Sequence, residues 1–374
     1  MQSRHFTVLA TLLSIVLSTV VSNAQNIPFD SLRFVDASEF RIINRAFADT
    51  VPLYTRVPDS KWHLLRDELK WGMGCSTGIG VRFRTNSKTI AVRYRLRYDF
   101  AMSWMAYTGI KGTDLYILGT DNRWNYLATS KPRRDSVQTA VYTRHLDGRE
   151  HEFLLNLPLY DGVTKLEIGV EPDAQTGYPE VEIPRTEGGK LIFFGTSVMQ
   201  GGCATRPGMT QTNILQRELG VECCNLGVSG QGKLYLENAE LLSQTDDAIC
   251  FVIDPIMNCS IGMVDTLAVP FVRLLRQRCP NAAIVMVEGL VIPTLPFDRQ
   301  ERDKSEAINS LFFEKYRQLR RDGMRDIYYV RDRGFTADNA EGTVDGVHLT
   351  DLGFQQYSDQ LLPLLRKIIR KYSK

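Results

Sequence analysis

The sequence lacks several features that mark common protein classes. Its formal net charge is only +2, whereas a nucleic-acid-binding domain normally carries a concentrated basic patch, so we expect no nucleic-acid partner. Beyond residue 21, no apolar run is long enough to span a membrane. No Gly-x-Gly-x-x-Gly segment or Walker loop follows a predicted strand, which argues against nucleotide chemistry.

The spacing of cysteine and histidine does not match a metal site. The seven cysteines contain no Cys-x-x-Cys pair, and no histidine follows them at zinc-site spacing. We therefore expect neither a metal nor an organic cofactor. Export would permit a disulfide, with Cys203 and Cys259 as the candidate pair. The alternative is that the cysteines are buried free thiols, which behave as small apolar residues.

The first 24 residues have the pattern of a secretory signal peptide. Arg4 supplies a positive charge, residues 6–21 are largely apolar, and the Ser-Asn-Ala tripeptide at 22–24 suits cleavage before Gln25. The alternative is an uncleaved anchor, but the apolar run falls short of the roughly 20 residues needed to span a bilayer. We predict a secreted protein, periplasmic or extracellular, with no stable membrane insertion after cleavage.

The rest of the chain shows two patterns that meet near residues 184–189. From about residue 78 to 182, short segments alternate apolar and polar residues between Gly and Asp turns, which predicts an antiparallel sandwich or jelly roll. After residue 189, apolar strands alternate with helical segments, which predicts a parallel, doubly wound sheet. We therefore predict an all-β domain over residues 25–186 and a three-layer α/β/α domain over residues 187–374.

Individual elements of the second pattern can be placed. The expected strands are 191–194, 222–226, 248–253, 283–287 and 327–330, and the expected helices are 211–219, 235–242, 264–277, 304–322 and 351–371. Pro363 is expected to kink or break the last helix. In the first pattern, the arginine-bearing faces of strands 79–84 and 90–96 are expected to meet solvent or the other domain.

One serine stands where open α/β sheets bind ligands. The apolar run 191–194 ends in Gly-Thr-Ser, which places the Ser197 hydroxyl at the carboxyl end of a buried strand. A serine hydroxyl needs a base, and His348 is the only histidine in the α/β half. Asp345, three residues earlier, can hold the other ring nitrogen. The same segment also fits a loop that caps the last helix, so the pair alone is not diagnostic.

Acyl transfer also requires hydrogen-bond donors for a developing oxyanion, and two more segments offer them. Residues 225–232 follow the second strand of the α/β half, and their glycines, Gly230 among them, let a backbone N–H approach a substrate. Asn258 follows the third strand and carries a side-chain amide. Because all these groups follow successive strands, we expect them at one edge of the sheet.

Together these segments resemble the sequence blocks of the SGNH, or GDSL-type, hydrolase superfamily. The resemblance covers the C-terminal half of the chain and implies a flavodoxin-like serine esterase. It implies that Ser197 is the nucleophile, His348 the base and Asp345 the group that orients the base. It also implies an oxyanion hole made by the backbone N–H groups of Ser197 and Gly230 and by the Asn258 amide.

Two departures and one additional motif narrow the resemblance. Thr196 replaces the aspartate of the usual Gly-Asp-Ser, and the usual Gly-x-Asn-Asp around Asn258 is absent. Asp254 lies four residues before Asn258, as in a subgroup whose hydrolase domain follows a β-rich domain with a Gly-x-Asp-Leu-Tyr motif. Residues 112–116 match that motif.

The resemblance implies hydrolysis of a short acyl ester, with acetyl on a carbohydrate favoured because the resembled subgroup includes exported carbohydrate esterases. All four tryptophans precede the α/β half, where they either line a carbohydrate site or pack in the interior. Three alternatives stay open: an esterase acting on lysophospholipids or other lipids, a catalytically inactive carbohydrate-binding protein, and a structural partner in an outer-surface complex.

Overall fold

The computed structural model describes residues 27–49, 51–185, 188–336 and 341–372. The predicted signal peptide, residues 1–24, lies outside the described residues. The first part of the described chain contains the strands β1 (Arg33–Asp36), β2 (Arg41–Ile43), β3 (Gly80–Thr85), β4 (Ile90–Leu96), β5 (Asp114–Leu118), β6 (Trp124–Thr129), β7 (Val137–Thr143), β8 (His151–Asn156), β9 (Val163–Val170) and β10 (Thr176–Gly177), with the short helices α1 (Asp67–Met73) and α2 (Tyr107–Ile110).

These strands form two antiparallel sheets. One has the order β1-β9-β4-β7, and the other has the order β10-β3-β8-β5-β6 with β2 also paired to β3. Alternate side chains of the two sheets, such as Phe83, Phe153, Val92 and Ile168, are buried in one shared core. The predicted all-β arrangement is thereby confirmed as a sandwich.

The arginine face of β3 corrects one expectation. Arg82 does not meet solvent, because its side chain is fully buried. The Arg82 guanidinium pairs with Glu152, donates to the Val181 carbonyl at 2.8 Å and lies over the Trp124 ring. The chain that follows β10 brings Val181 to Arg82, so a position that reads as exposed in an isolated strand becomes interior. Arg84, two residues on, is partly exposed as expected.

The second part of the described chain forms a parallel sheet between two layers of helices. Its strands are β11 (Lys190–Gly195), β12 (Cys223–Asn225), β13 (Ala248–Asp254), β14 (Ala283–Val287) and β15 (Ile327–Val330), and its helices are α3 (Ser197–Gln200), α4 (Gln211–Leu219), α5 (Leu236–Ser243), α6 (Ile261–Arg278), α7 (Arg299–Arg321) and α8 (Asp351–Tyr372). The strand order is β12-β11-β13-β14-β15, which is the flavodoxin-like order.

Alternating residues of the strands face opposite helix layers. Phe193 and Val252 lie in the core shared with α4 and α8, whereas Phe194 and Phe251 lie in the core shared with α5, α6 and α7. The three-layer prediction is confirmed. None of the helices in the described ranges is long and apolar enough to cross a membrane.

Helix α8 continues through Pro363, so the predicted break at this residue is wrong. Pro363 is exposed, and on the solvent side of a helix a lost backbone hydrogen bond is replaced by water. The buried stripe on the opposite side holds the helix against the sheet; it consists of Leu361, Leu365, Ile368 and Ile369.

A segment of the N-terminal part packs against the α/β part. Phe47, Val57 and Leu69 are buried in the same apolar cluster as residues of α5, α6 and α7. The Asn44 side chain accepts from the Cys223 backbone N–H at 3.2 Å and so occupies part of the exposed edge of β12. The domain boundaries, residues 25–186 and 187–374, stay a prediction, and the packing shows that the two parts share a core.

Candidate active site

Ser197 lies just beyond the carboxyl end of β11, at the first residue of α3. Strand β11 is flanked by β12 on one side and β13 on the other, so the chain leaves it where the strand order reverses. A crevice opens at such a point because the connections diverge to opposite sides of the sheet. The Ser197 residue is 8% exposed, so its surface is restricted but not closed to solvent.

Three of the predicted site residues are joined in one hydrogen-bonded chain. The Ser197 Oγ lies 2.8 Å from the His348 Nε2, and the His348 Nδ1 lies 2.7 Å from the Asp345 Oδ2. With Nδ1–H donated to the carboxylate, Nε2 carries the lone pair that can accept the serine proton. This geometry is that of a nucleophile, a base and a group that orients the base.

The loop before α8 fixes the Asp345 carboxylate independently of the ring. Its Oδ1 accepts from the backbone N–H groups of Val347 at 3.0 Å and His348 at 2.8 Å. Burial acts to raise the pKa of Asp345, but these bonds and the bond from the His348 ring outweigh it and hold that pKa below its ordinary value. The carboxylate is therefore ionised at neutral pH and positioned to stabilise a protonated His348.

The backbone of the serine turn is held from both parts of the molecule. The Ser197 carbonyl accepts from the Gly202 N–H at 2.9 Å and from the Tyr160 hydroxyl at 3.1 Å. Burial raises the pKa of Tyr160 far above its ordinary value, so the hydroxyl keeps its proton and remains a donor. A Cβ atom on Gly202 would lie 2.6 Å from the Tyr160 hydroxyl and 3.3 Å from the His348 Cδ2. Only glycine at this position therefore lets Tyr160 and the His348 ring lie so close to the serine turn.

Gly230 lies on the loop that follows β12, next to the serine turn. It is exposed, its φ is +69°, and no atom lies within 4 Å of the place a Cβ would take. The preceding residues attach the loop to the serine turn, because the Val228 N–H donates to the Gly195 carbonyl at 2.9 Å and the Ser229 N–H donates to the Gln200 Oε1 at 2.8 Å. The loop is thus fixed close to Ser197 while Gly230 itself stays accessible.

Asn258 ends a single 3-10 turn, Ile256–Asn258, directly after β13. Strand β13 neighbours β11 with Asp254 opposite Gly195, which places Asn258 at the same sheet edge as Ser197. The Asn258 Oδ1 is buried without a hydrogen-bond partner among the described residues. Neither Asn258 nor Gly230 forms a hydrogen bond with Ser197 within the described chain, as expected for groups whose acceptor is a substrate oxygen.

Two buried polar residues, Thr196 and Asp254, lie behind the site. The Thr196 Oγ1, at the position of the usual aspartate, is buried and has no hydrogen-bond partner in the described part of the chain. Asp254 is fully buried and accepts from the Tyr357 hydroxyl at 2.9 Å. Burial raises the pKa of Asp254 to about 7. An acidic group is therefore present behind the serine turn, on β13 rather than beside Ser197.

A cavity of about 550 Å³ is lined by residues that follow β13 and β14 and by residues of α7. Its walls are mainly apolar and include residues on both sides of Asn258 in the sequence, Met257 and Cys259, together with Leu290 after β14 and Ile308 on α7. Lys304 of α7 also lines it. The cavity can therefore hold an apolar group near the segment that carries Asn258, although Asn258 itself is not among the lining residues.

Neither a disulfide nor a metal cluster accompanies the site. All seven cysteines are free, so the proposed pairing of Cys203 with Cys259 is not formed. Five of them are buried, as the free-thiol alternative expects. Within the described ranges, no group of three or more His, Cys, Asp or Glu side chains could hold a metal ion.

The Gly-x-Asp-Leu-Tyr motif connects the two parts of the molecule. The Asp114 Oδ2 accepts from the Arg206 guanidinium and from the Gly208 N–H, both at 2.8 Å, while its Oδ1 accepts from Asn156. Arg206 also donates to the Tyr116 hydroxyl at 2.6 Å. Because Arg206 and Gly208 lie between α3 and α4, the motif fastens the sandwich to the segment that follows the serine turn.

Sequence reasoning did not single out several residues that support the site. Gln200 and Asn225 are fully or almost fully buried and bond the backbone around Ser197 and Gly230. Their signal was a polar residue directly after a buried strand run, beside glycines. Tyr160 and Arg56 come from the N-terminal part, and no local pattern marks them because they bond backbone carbonyls, which every residue offers.

Comparison with known proteins agrees with this geometry. The GDSL-like lipase/acylhydrolase family matches residues 189–366, and the N-terminus of SGNH-hydrolase-type esterases matches residues 32–176. No curated protein matches the chain. Among solved structures, a GDSL-like lipase from Bacteroides ovatus is 31% identical, with a TM-score of 0.85 over 91% of this chain and 98% of that one.

Two more distant structures share the fold. A salicylyl-acyltransferase from a tetracycline biosynthetic pathway is 15% identical, with a TM-score of 0.70 over 88% of this chain and 95% of its own. A family two carbohydrate esterase from Cellvibrio japonicus is 15% identical, with a TM-score of 0.56 over 91% of this chain and 98% of its own. The extent of the family match and the identity to the Bacteroides protein together show that the chain belongs to the GDSL-like lipase/acylhydrolase family, whose members hydrolyse ester bonds.

Proposed function

We propose that the protein is a serine esterase in which Ser197, His348 and Asp345 carry out acyl transfer to water. The observation that carries the proposal is the 2.8 Å separation of the Ser197 Oγ from the His348 Nε2, within a chain of bonds that ends at a carboxylate. An inactive binding protein would have no need of this arrangement. The geometry therefore favours catalysis over the binding and structural alternatives.

The reaction proceeds in two halves. The Ser197 Oγ attacks the ester carbonyl carbon while the His348 Nε2 takes its proton, and Asp345 stabilises the imidazolium. The backbone N–H groups of Ser197 and Gly230 and the Asn258 amide donate to the developing oxyanion. His348 then gives its proton to the leaving alcohol, and a water molecule, deprotonated by the same ring, releases the acyl group from Ser197.

The proposed substrate is a short acyl ester, acetyl in the first place, on a carbohydrate. The shared fold with a carbohydrate esterase supports this class. Trp104 supports it further, because its side chain is 51% exposed while the other three tryptophans are partly buried. The Cys203 thiol donates to the Trp104 carbonyl at 3.3 Å, and Cys203 follows Gly202, which borders the His348 ring. These contacts bring the Trp104 backbone close to the serine turn, and an exposed indole on that segment can stack on a sugar ring.

Hydrolysis of p-nitrophenyl acetate by the wild type and by Ser197→Ala tests the proposal. We expect the substitution to reduce kcat by about 10³-fold or more. Ser243→Ala, at the end of α5, is the control and should leave kcat unchanged. A wild type no faster than buffer, or a Ser197→Ala variant as fast as the wild type, would contradict the esterase assignment.

The carbohydrate assignment has its own pair of variants. Trp104→Ala should raise KM for an acetylated oligosaccharide by about tenfold, the value of one stacking contact, and leave KM for p-nitrophenyl acetate unchanged. Trp124→Ala, whose ring packs on the buried Arg82 instead, should change neither KM. An equal effect of Trp104→Ala on both substrates would argue against sugar stacking.

A second candidate, an esterase for longer acyl chains such as those of lipids, is favoured by the apolar cavity that Met257 and Cys259 line. A cavity of this volume can hold an acyl chain of about eight carbons. The ratio of kcat/KM for p-nitrophenyl octanoate to that for the acetate separates the two candidates. A higher value for octanoate would replace the acetyl assignment, and a higher value for acetate would support it.

The proposed site of action is outside the cytoplasm, in the periplasm or beyond, on the basis of residues 1–24. N-terminal sequencing of the mature protein should give Gln25 as the first residue. A mature chain that retains the apolar run would support the anchor alternative instead.

A further inference from the structure

Arg56 is an unusual residue because its charged group is buried without an acidic partner. The residue is 3% exposed and lies between the N-terminal part and the loop that follows β12. No carboxylate of the described residues forms an ion pair with it, and its Nε has no hydrogen-bond partner among them. Burial, opposed by the neighbouring Cys75, Tyr160 and Tyr98, lowers the pKa of Arg56 to about 10. Removing a guanidinium from water is costly, so its contacts must compensate for that loss.

The contacts of Arg56 are backbone carbonyls from two separate segments. One guanidinium nitrogen donates to the Gly227 carbonyl at 2.6 Å and to the Asn225 carbonyl at 3.2 Å, with the Asn225 Oδ1 at 3.5 Å. The other nitrogen donates to the Gly72 carbonyl at the end of α1. One side chain therefore joins α1 to the beginning of the loop that carries Gly230.

The segment from Asn225 to Gly230 is also held by other bonds, because the N–H groups of Leu226 and Val228 donate to carbonyls of β11 and the Ser229 N–H donates to Gln200. The Gly227 N–H donates to the Asn225 Oδ1 at 2.9 Å, which closes a tight turn. The next residue, Val228, packs directly on Gly72, since a Cβ there would lie 2.6 Å from its Cγ1. The turn that Arg56 holds is therefore one of the supports of the loop that carries Gly230, and it is the support that comes from the N-terminal part.

We propose that Arg56 is a positioning residue for acyl transfer, whose guanidinium holds the carbonyls of Asn225 and Gly227 and so fixes the Gly230 N–H for the oxyanion. The catalytic part of this assignment rests on the proposed function. Preorganised donors stabilise an oxyanion only if they do not have to move when the charge develops. A cation that binds the carbonyls of a loop restricts its motion without touching the substrate.

A second buried arginine provides a control that separates an effect on catalysis from an effect on stability alone. Arg82 is also a fully buried arginine of the N-terminal part, and burial lowers its pKa to about 10 as well. Its partners are Glu152 and the Val181 carbonyl, which belong to the sandwich and not to the active-site loop. Arg56→Met and Arg82→Met therefore remove similar buried charges at different distances from Gly230.

Hydrogen exchange of the loop tests the positioning directly and does not depend on activity. The N–H groups of Gly227, Val228, Ser229 and Gln231 are all hydrogen-bonded. We expect Arg56→Met to speed exchange in the peptide 223–232 by about tenfold or more. Arg82→Met should leave this peptide unchanged and speed exchange around β3 and β8. Unchanged exchange in Arg56→Met would overturn the proposal, even if the wild type proved to have no esterase activity.

Kinetics with p-nitrophenyl acetate provide the second readout. Arg56→Met should lower kcat by about 10–10²-fold, the range expected for one misplaced oxyanion donor, and leave KM within about twofold. Arg82→Met should leave kcat unchanged at a temperature where both variants are folded. A fall in kcat of equal size in both variants, or no fall in Arg56→Met, would overturn the positioning role.

A conservative variant keeps the proposal testable if Arg56→Met does not fold. Lysine retains the charge but has no planar fork to reach carbonyls in two directions. Arg56→Lys should therefore give loop exchange rates and kcat values between those of the wild type and those of a protein that has lost the Arg56 hydrogen bonds to the loop. Wild-type values for both measurements would overturn the proposal. An inactive wild type with faster loop exchange in Arg56→Lys would refute the proposed function and leave the structural assignment standing.

Discussion

The α/β part and the sandwich contribute to the active site in different ways. The α/β part supplies every group proposed to act on the ester. The loops after β11, β12 and β13 carry the nucleophile and the candidate oxyanion donors, and the loop before α8 carries His348 and Asp345. The sandwich side supplies Tyr160 and Arg56, which donate to backbone carbonyls of the site, Tyr160 to that of Ser197 and Arg56 to that of Gly227. The α/β part thus provides the reacting groups, and the N-terminal part provides contacts that hold those groups in place.

Asp345 and Asp114 illustrate most clearly how the contributions of the two parts differ. Asp345 accepts from the ring of His348 and is partly exposed, while Asp114 is fully buried in an ion pair with Arg206 that crosses between the two parts. The first should matter for turnover and the second for stability. Four substitutions test the distinction, beginning with the largest expected effect.

Asp345→Asn should lower kcat by about 10³-fold or more, because an amide can hold His348 in the wrong tautomer. Folding should be affected little, since the carboxyl is more than a third exposed. Steady-state kinetics and thermal unfolding of the same preparation measure both quantities. A variant with wild-type kcat would remove Asp345 from the mechanism.

Asn258→Ala should lower kcat by about 10²-fold if its amide donates to the oxyanion. The buried Oδ1 of this residue has no partner to lose among the described residues, so stability should change little. The measurement is kcat for p-nitrophenyl acetate, with Asn309→Ala as a control because that side chain bonds the Gly289 backbone instead. An unaltered rate in Asn258→Ala would exclude the oxyanion role.

Asp114→Asn should destabilise the fold by about 3 kcal/mol, because it leaves the Arg206 charge without its partner. Arg206 keeps contacts with Tyr116 and the Tyr126 ring, so the segment should remain in place at low temperature. Urea unfolding measures the loss, and kcat at 15 °C should stay within about threefold of wild type. If a fully folded variant lost much of its kcat, the motif would contribute to catalysis more directly than its contacts indicate.

Asp254→Asn tests the buried carboxyl through the pH dependence of stability. The pKa of Asp254 in the folded protein is about 7, which lies above the ordinary value of an aspartate. The folded state therefore binds the proton more tightly than the unfolded state. The free energy of unfolding consequently falls as the pH rises from about 4 to about 7. The variant cannot ionise, so its Tm relative to wild type should be higher at pH 8 than at pH 5, by roughly 5 °C. Parallel Tm profiles over this range would show that Asp254 keeps an ordinary pKa.

Much of the α/β fold could be predicted because its strands are buried on both faces. The continuous apolar runs at 283–287 and 327–330 coincide with β14 and β15. Helix α7 begins at Arg299, before the predicted start at residue 304, because the Asp298 side chain accepts from the Glu301 N–H. That capping pair was present in the sequence, and hydrophobic periodicity alone did not include it.

Predictions failed where a distant segment changes the surroundings of a residue. Arg82 reads as exposed, but Glu152, Trp124 and the Val181 carbonyl enclose it. Pro363 reads as a kink or break, but α8 continues through it while a buried stripe packs the helix against the sheet. The residues Ser197, Asp345 and His348 could be predicted because side-chain chemistry requires particular residue types. Arg56 could not, since any backbone carbonyl can accept its hydrogen bonds and the sequence records no preference.

The packing of the N-terminal segment also constrains the order in which this protein can fold. Phe47, Val57 and Leu69 share a core with Val264 and Phe312, which are synthesised much later. Contacts between residues so far apart in the chain form slowly, because a long loop must close before they contribute any stability. The cluster also includes Ile192, Leu226 and Leu241, so Phe47, Val57 and Leu69 begin to be covered only when the α/β part is synthesised, and the cluster is complete only with the last third. During that interval the nascent protein is exposed to aggregation, and a chaperone that shields the N-terminal segment would reduce that exposure.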